Sequence, residues 1–184
     1  MNQIIVISGP HSAGKSSVAA ALCERFDRML LVEVNELRQM VRAGFRHATA
    51  QDHQAQEQLE LGCRNAAAIA LESVAARYST VIVDLVTAEM VTWYRDALAA
   101  TPVRVELITL LPDLATTLSR DANRGKDTMG HRVSETHALL SAEFEGSEIS
   151  GAVLNTAPHL NAHESADAVQ DVISRGQALL LEPH

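Results

Sequence analysis

Short apolar runs rich in β-branched residues alternate along this chain with stretches whose apolar positions recur every three to four residues. Residues 3–7 (Gln-Ile-Ile-Val-Ile) form the first such run and end at Ser8-Gly9. A run of this kind reads as a strand buried on both faces, as in a parallel sheet. Four more runs read the same way: residues 29–33, 80–83, 103–110 and 152–155. Between them, helical spacing predicts helices over 15–26, 35–43, 54–78, 88–99, 112–123, 134–145 and 163–181. Thr87 is a fitting N-cap, Gly44 a fitting stop, and Pro112 suits a first helical turn. Residues 47–53 and 124–132 are polar and read as loops.

Strands alternating with helices imply an α/β fold: a five-stranded parallel sheet with helices on both faces. Ligands of such sheets sit at the carboxyl ends of the strands. Here those ends are Gly9, Glu33, Asp84, Leu111 and Asn155. At 184 residues the chain reads as one domain, residues 1–184.

Charge and cysteine content narrow the field. A formal net charge of −8 argues against a general nucleic-acid binder. No apolar run approaches membrane-spanning length. Cys23 and Cys63 fit neither a metal spacing nor a disulfide framework, so the expected compartment is a reducing cytoplasm. The fifteen cationic side chains are almost all Arg; the lysines are Lys15 and Lys126. Lys is a compact point charge that Arg does not replace everywhere, which directs attention to both positions.

The first lies in Gly9-Pro10-His11-Ser12-Ala13-Gly14-Lys15-Ser16, a G-x-x-x-x-G-K-S phosphate-binding loop in its required setting of strand, loop and helix. Its glycines let backbone N–H groups turn toward phosphate oxygens, and the following helix adds uncapped donors and a positive dipole end. In this pattern Lys15 meets the β- and γ-phosphates of ATP, the Ser16 hydroxyl ligates Mg²⁺, and Ser17 can reach the α-phosphate.

GTPases need a base-reading N-K-x-D; Arg124-Gly125-Lys126-Asp127 lacks the Asn. AAA-type motors are larger, which leaves a compact kinase. Asp84, at the end of the third strand, is the candidate acid for holding Mg²⁺ or accepting a proton. Arg120, Arg124, Lys126 and Arg132 crowd a basic stretch of an acidic chain, as expected of a lid over about 120–145 that neutralises the transferred phosphoryl group and excludes water. Asn155 and Thr156, after the last strand, are candidates to border the adenine.

These residues together resemble the small P-loop kinases related to chloramphenicol phosphotransferase, gluconate kinase and the nucleoside monophosphate kinases. The resemblance covers nearly the whole chain: residues 4–16, 31–35 leading to Gly44-Phe45, 81–84, 118–121, 126–132 and 153–156. It implies a P-loop three-layer sandwich with strand order 2-3-1-4-5 and ATP phosphates at residues 9–17. It further implies lid cations at Arg120, Arg124 and Arg132, adenine near Asn155 and Thr156, and an acceptor between residues 33–45 and the loop after Asp84. Those kinases usually carry an Asp after the second strand as the base. Here that position reads as Asn35, a neutral amide that cannot take a proton. Glu33 is two residues earlier, on the same side if the strand persists to Asn35, so either Glu33 or Asp84 inherits the role or the chain has weaker or different chemistry.

The expected activity is transfer of the ATP γ-phosphoryl to a nucleotide, sugar or antibiotic hydroxyl by a monomer or homodimer. The alternative is a non-catalytic, ATP-binding regulator. His159 and His163 are not expected to bind metal. Trp93 and Tyr94 read more readily as core than as a stacking platform, and Phe45 divides evenly between the two.

Overall fold

A computed structural model of the chain describes residues 2–50, 52–123, 125, 128–146 and 150–184. The elements run β1 (Ile4–Ser8), α1 (Lys15–Cys23), β2 (Met29–Glu33), α2 (Val34–Gln39), α3 (His53–Ala75), β3 (Ser79–Val83) and α4 (Ala88–Ala97). They continue with β4 (Val105–Leu110), α5 (Leu114–Ala122), α6 (Gly130–Glu145), β5 (Ala152–Leu154), α7 (Ala162–Ser174) and β6 (Leu179–Leu181).

The parallel strands stand in the order β2-β3-β1-β4-β5, as the resemblance implies. β1 lies between β3 and β4, with Ile7 opposite Val83 and Ile108. Alternate residues of β1 serve two cores. Ile4 and Val6 join Ile82, Tyr94, Leu107 and the α3 alanines, while Ile5 and Ile7 join Val18 and Leu22 of α1 and Val169 of α7. Both faces of the central strands are therefore dry, which explains their unbroken apolar runs.

Three expectations need correction. The sheet has a sixth strand: β6 pairs antiparallel with β4, where a helix was expected to run on to residue 181. The helix stops because Gly176, at φ 68°, takes the left-handed turn that glycine tolerates, and Gln177 N–H donates to the Val172 carbonyl (3.0 Å) in a Schellman closure. α6 opens at Gly130, four residues before the expected start; its N-cap, Met129, makes no side-chain cap bond, so no capping signal marks the place. Lastly, α2 begins at Val34 directly after β2, so Glu33 and Asn35 are not strand residues two apart and the same-side argument fails. Arg124 and Lys126 lie outside the described residues.

Candidate functional site

The loop from β1 to α1 has the backbone its sequence requires. A Cβ at Gly9 would run into the Leu110 carbonyl oxygen of the neighbouring strand. Gly14 caps α1 in the left-handed region, φ 94°, and no side chain caps the helix. The first turn of α1 therefore opens into the loop without a side-chain cap, an arrangement that suits an anion. Lys15 Nζ turns back over the loop and donates to the carbonyls of Gly9 and Pro10, both at 2.8 Å. Ser16 and Ser17 are exposed at the start of α1.

The C-terminal turn of α5 grips this loop from outside. Arg120 Nη1 donates to the Ala13 carbonyl (3.2 Å) and to Thr156 Oγ1 (3.3 Å), and its Nη2 to the Thr156 carbonyl (2.8 Å). Arg120 thus ties the phosphate loop to the loop after β5, so two segments picked out separately in the sequence meet through one guanidinium. Thr156 is buried; Asn155 is exposed, and its Oδ1 accepts from Ala157 N–H at 2.9 Å. His11 N–H donates to Thr136 Oγ1 of α6 (3.2 Å), which brings α6 against the loop. Arg132, in the first turn of α6, is half-buried; its carbonyl accepts from Thr136 Oγ1 at 2.7 Å, and its guanidinium makes no hydrogen bond or ion pair among the described residues.

Around Asp84 and α2 the structure holds a constellation that sequence reasoning missed. Asp84, 4% exposed, accepts five hydrogen bonds, the longest from Cys63 Sγ to Oδ2 at 3.9 Å. Arg38 Nη1 and Nη2 donate to its two oxygens at 2.9 and 3.0 Å, Tyr94 Oη donates at 2.9 Å, and Leu85 N–H donates at 2.8 Å. A carboxylate has about four acceptor sites, so Asp84 is saturated. Its expected work on Mg²⁺ or a proton requires releasing one of these donors. Burial alone would lower the Arg38 pKa, but the charges of Asp84 and its neighbours outweigh that and raise it. Burial, reinforced by the Asp84 charge, pushes the Cys63 thiol up to about 12 and the Tyr94 phenol well above its usual range. The Arg38 stem crosses α3 at Gly62, where a Cβ would stand 2.8 Å from Arg38 Nε. That glycine, inside a 23-residue helix, was the available signal of a close approach.

Glu33 ends β2 opposite Val83, half-buried, and its carboxylate makes no hydrogen bond or ion pair among the described residues; Asn35 is exposed in the first turn of α2. Phe45 is exposed, Trp93 partly buried, and Tyr94 buried as core yet polar in its work. No cluster of three or more His, Cys, Asp or Glu that could hold a metal occurs among the described residues. No helix among them is long and apolar enough to cross a membrane.

Comparison with known proteins agrees with this geometry. The fold is similar to that of the tunicamycin resistance protein of Deinococcus radiodurans, with TM-score 0.68 and 22% identity over 100% of both chains. A sugar kinase from Janibacter sp. gives TM-score 0.66 and 18% identity, again over 100% of both. Shikimate kinase from Acinetobacter baumannii gives 0.62 and 17% over 96% of this chain and 95% of that one. No curated protein matches. The family that matches, over residues 4–146, is described as an AAA domain. Size argues against an AAA-type motor, and two of these three neighbours are kinases by name. The chain belongs to this AAA-domain family of P-loop proteins, and its strand order is that of a P-loop kinase-like fold.

Proposed function

We propose that this chain is an ATP-dependent kinase that moves the γ-phosphoryl group onto an oxygen of a small molecule. One observation carries the reading: α1 opens on the loop after β1 through Gly14, with no side-chain cap, and Lys15 Nζ turns back over that loop to the Gly9 and Pro10 carbonyls. Phosphoryl transfer asks little covalent chemistry of a protein and depends on positioning and charge stabilisation.

In the reaction an acceptor oxygen attacks the γ-phosphorus, the bond to the β–γ bridging oxygen breaks, ADP leaves, and the acceptor proton passes to a base or to water. Lys15 and the loop N–H groups hold the phosphates. Arg120 fixes the loop and Thr156, and Arg132 supplies a cation from α6. The residues fit Mg²⁺ held chiefly by the nucleotide: Ser16 offers an exposed hydroxyl, and Glu33 an unengaged carboxylate. When bound, the ion neutralises charge on the β- and γ-phosphates. Asp84 serves instead as the anchor of Arg38. Glu33 is the carboxylate available as base. Asn155 and Thr156 border the adenine, and the acceptor occupies the space near residues 33–45.

The test is ADP release over a panel of nucleotides, sugars and hydroxyl-bearing antibiotics. The expected result is release dependent on Mg²⁺ and on one acceptor class, lost in Lys15→Ala. ATP binding without ADP release on any acceptor would favour a nucleotide-binding regulator, the reading that Asn35 in place of an acid supports.

A further inference from the structure

Asp121 has no part in the reaction as described, yet it is buried, 2% exposed, beside the phosphate loop. One of its oxygens accepts from Ser12 Oγ at 2.8 Å and the other from Met129 N–H at 2.8 Å. Ser12 is inside the loop; Met129 is the N-cap of α6. The two donors belong to the two bodies that must meet around a bound nucleotide.

The charge is in the wrong place to favour phosphate. A carboxylate buried next to an anion site repels the anion and has to be stabilised by its own donors. Ser12 also holds φ 62°, a left-handed conformation uncommon for a residue with a side chain. A buried charge and an unfavourable backbone meeting in one hydrogen bond indicate a joint. Arg120, the preceding residue, grips Ala13, so the end of α5 clasps adjacent residues of the loop with opposite charges. One turn and a half into α6, Thr136 takes the His11 N–H and gives the two bodies a second contact.

We propose that Asp121 is a positioning residue that joins the phosphate loop to the start of α6, so that the conformation of the loop and the seating of α6 are set together. A carboxylate can do this because both oxygens accept. An Asn can keep both arms, taking the Met129 N–H on Oδ1 and donating Nδ2–H to Ser12 Oγ, whereas a Leu of similar shape accepts from neither donor. Asp121→Leu therefore breaks the joint with little change in volume.

Two readouts test it. The first is amide hydrogen exchange of the protein without nucleotide. Asp121→Leu and Ser12→Ala should each raise exchange over residues 128–136 about tenfold, the scale of one lost hydrogen bond to a charged group. Added to Asp121→Leu, Ser12→Ala should bring no further increase there. Because Ser12 is remote in sequence from α6, a rise at 128–136 in Ser12→Ala reports the joint itself. Wild-type exchange over 128–136 in Ser12→Ala, or additive increases in the double variant, would overturn the proposal.

The second readout rests on the kinase reading. Asp121→Leu should lower kcat about tenfold or more while ATP affinity holds or improves, since a repulsive charge is gone. Equal losses in kcat and ATP affinity would make Asp121 an ordinary folding residue. A wild-type protein that transfers nothing would sink the kinase reading alone, because the exchange measurement decides the joint independently.

Discussion

Two buried carboxylates stand at opposite ends of the sheet, and they are treated in opposite ways. Asp84, beyond the carboxyl end of β3, has all four acceptor sites filled and a guanidinium in bidentate contact. Glu106, toward the amino end of β4, is fully buried and neither oxygen accepts a hydrogen bond; Arg104 Nε is 3.6 Å from Oε1. Burial raises the Glu106 pKa, only partly opposed by Arg104. The first carboxylate is a fixed part of a built constellation. The second is a cost, tolerated where β6 folds back over β4. Precision in this molecule is concentrated at the end of the sheet that carries the phosphate loop.

Removing the better-satisfied carboxylate should have the largest effect. Asp84→Ala leaves Arg38 buried without its counter-charge, a loss of about 3–5 kcal/mol for breaking a buried pair. At roughly 2–4 °C per kcal/mol for a chain of this size, the melting temperature should fall by about 6–20 °C. An unchanged melting curve would mean that the pair is not formed in solution.

Glu106→Gln should move stability the other way. The folded pKa of Glu106 lies above its ordinary value of 4.5, so the ionised form is the one the fold disfavours. That penalty is absent below about pH 4.5, grows as the pH rises through the folded pKa, and is fully present above it. The variant should therefore be more stable at pH 7.5, by about 1–3 kcal/mol, with the gain disappearing below about pH 4.5. Melting curves at the two pH values check this; a gain independent of pH would assign the effect to packing.

Gly62→Ala isolates the space that the Arg38–Asp84 pair needs. Ala in a helix interior normally gains about 1 kcal/mol over Gly. Here the new Cβ meets the buried Arg38 stem, and overpacking costs about 1–3 kcal/mol. The expected net result is no gain or a loss of up to about 2 kcal/mol in denaturant unfolding. A clear stabilisation would show that Arg38 moves aside freely.

The smallest effect concerns reactivity. Cys63, with its thiol pushed to about 12, should remain unmodified by a maleimide at pH 8 in the folded protein. Asp84→Asn removes a charge that holds the thiol protonated, so labelling should quicken. Equal rates in the two proteins would remove Asp84 from the neighbourhood of Cys63.

The difference between the two ends of the sheet also explains what was legible in the sequence. The phosphate loop could be read outright, since its chemistry is written in eight consecutive residues and depends on backbone geometry that glycine spacing dictates. The five parallel strands could be read because burial on both faces leaves unbroken apolar runs. Arg38 and Asp84 are 46 positions apart, and no local spacing encodes their meeting; the glycine at 62 was the one trace. Asp121 joins Ser12 and Met129 across the fold and looks in sequence like any helix-terminal acid. β6 was hidden because Leu179–Leu181 continues an apolar pattern begun in α7, and Gly176 was read as part of the helix.

The central claim is that the loop after β1 binds a nucleoside triphosphate through Lys15. Calorimetric titration with ATP and Mg²⁺ tests it most directly. Wild-type protein should bind one equivalent, and Lys15→Ala should bind about 10-fold or more weakly, the scale of a lost charge-assisted contact, with its melting temperature unchanged. Equal affinity in the two proteins, or no heat of binding in the wild type, would contradict the account.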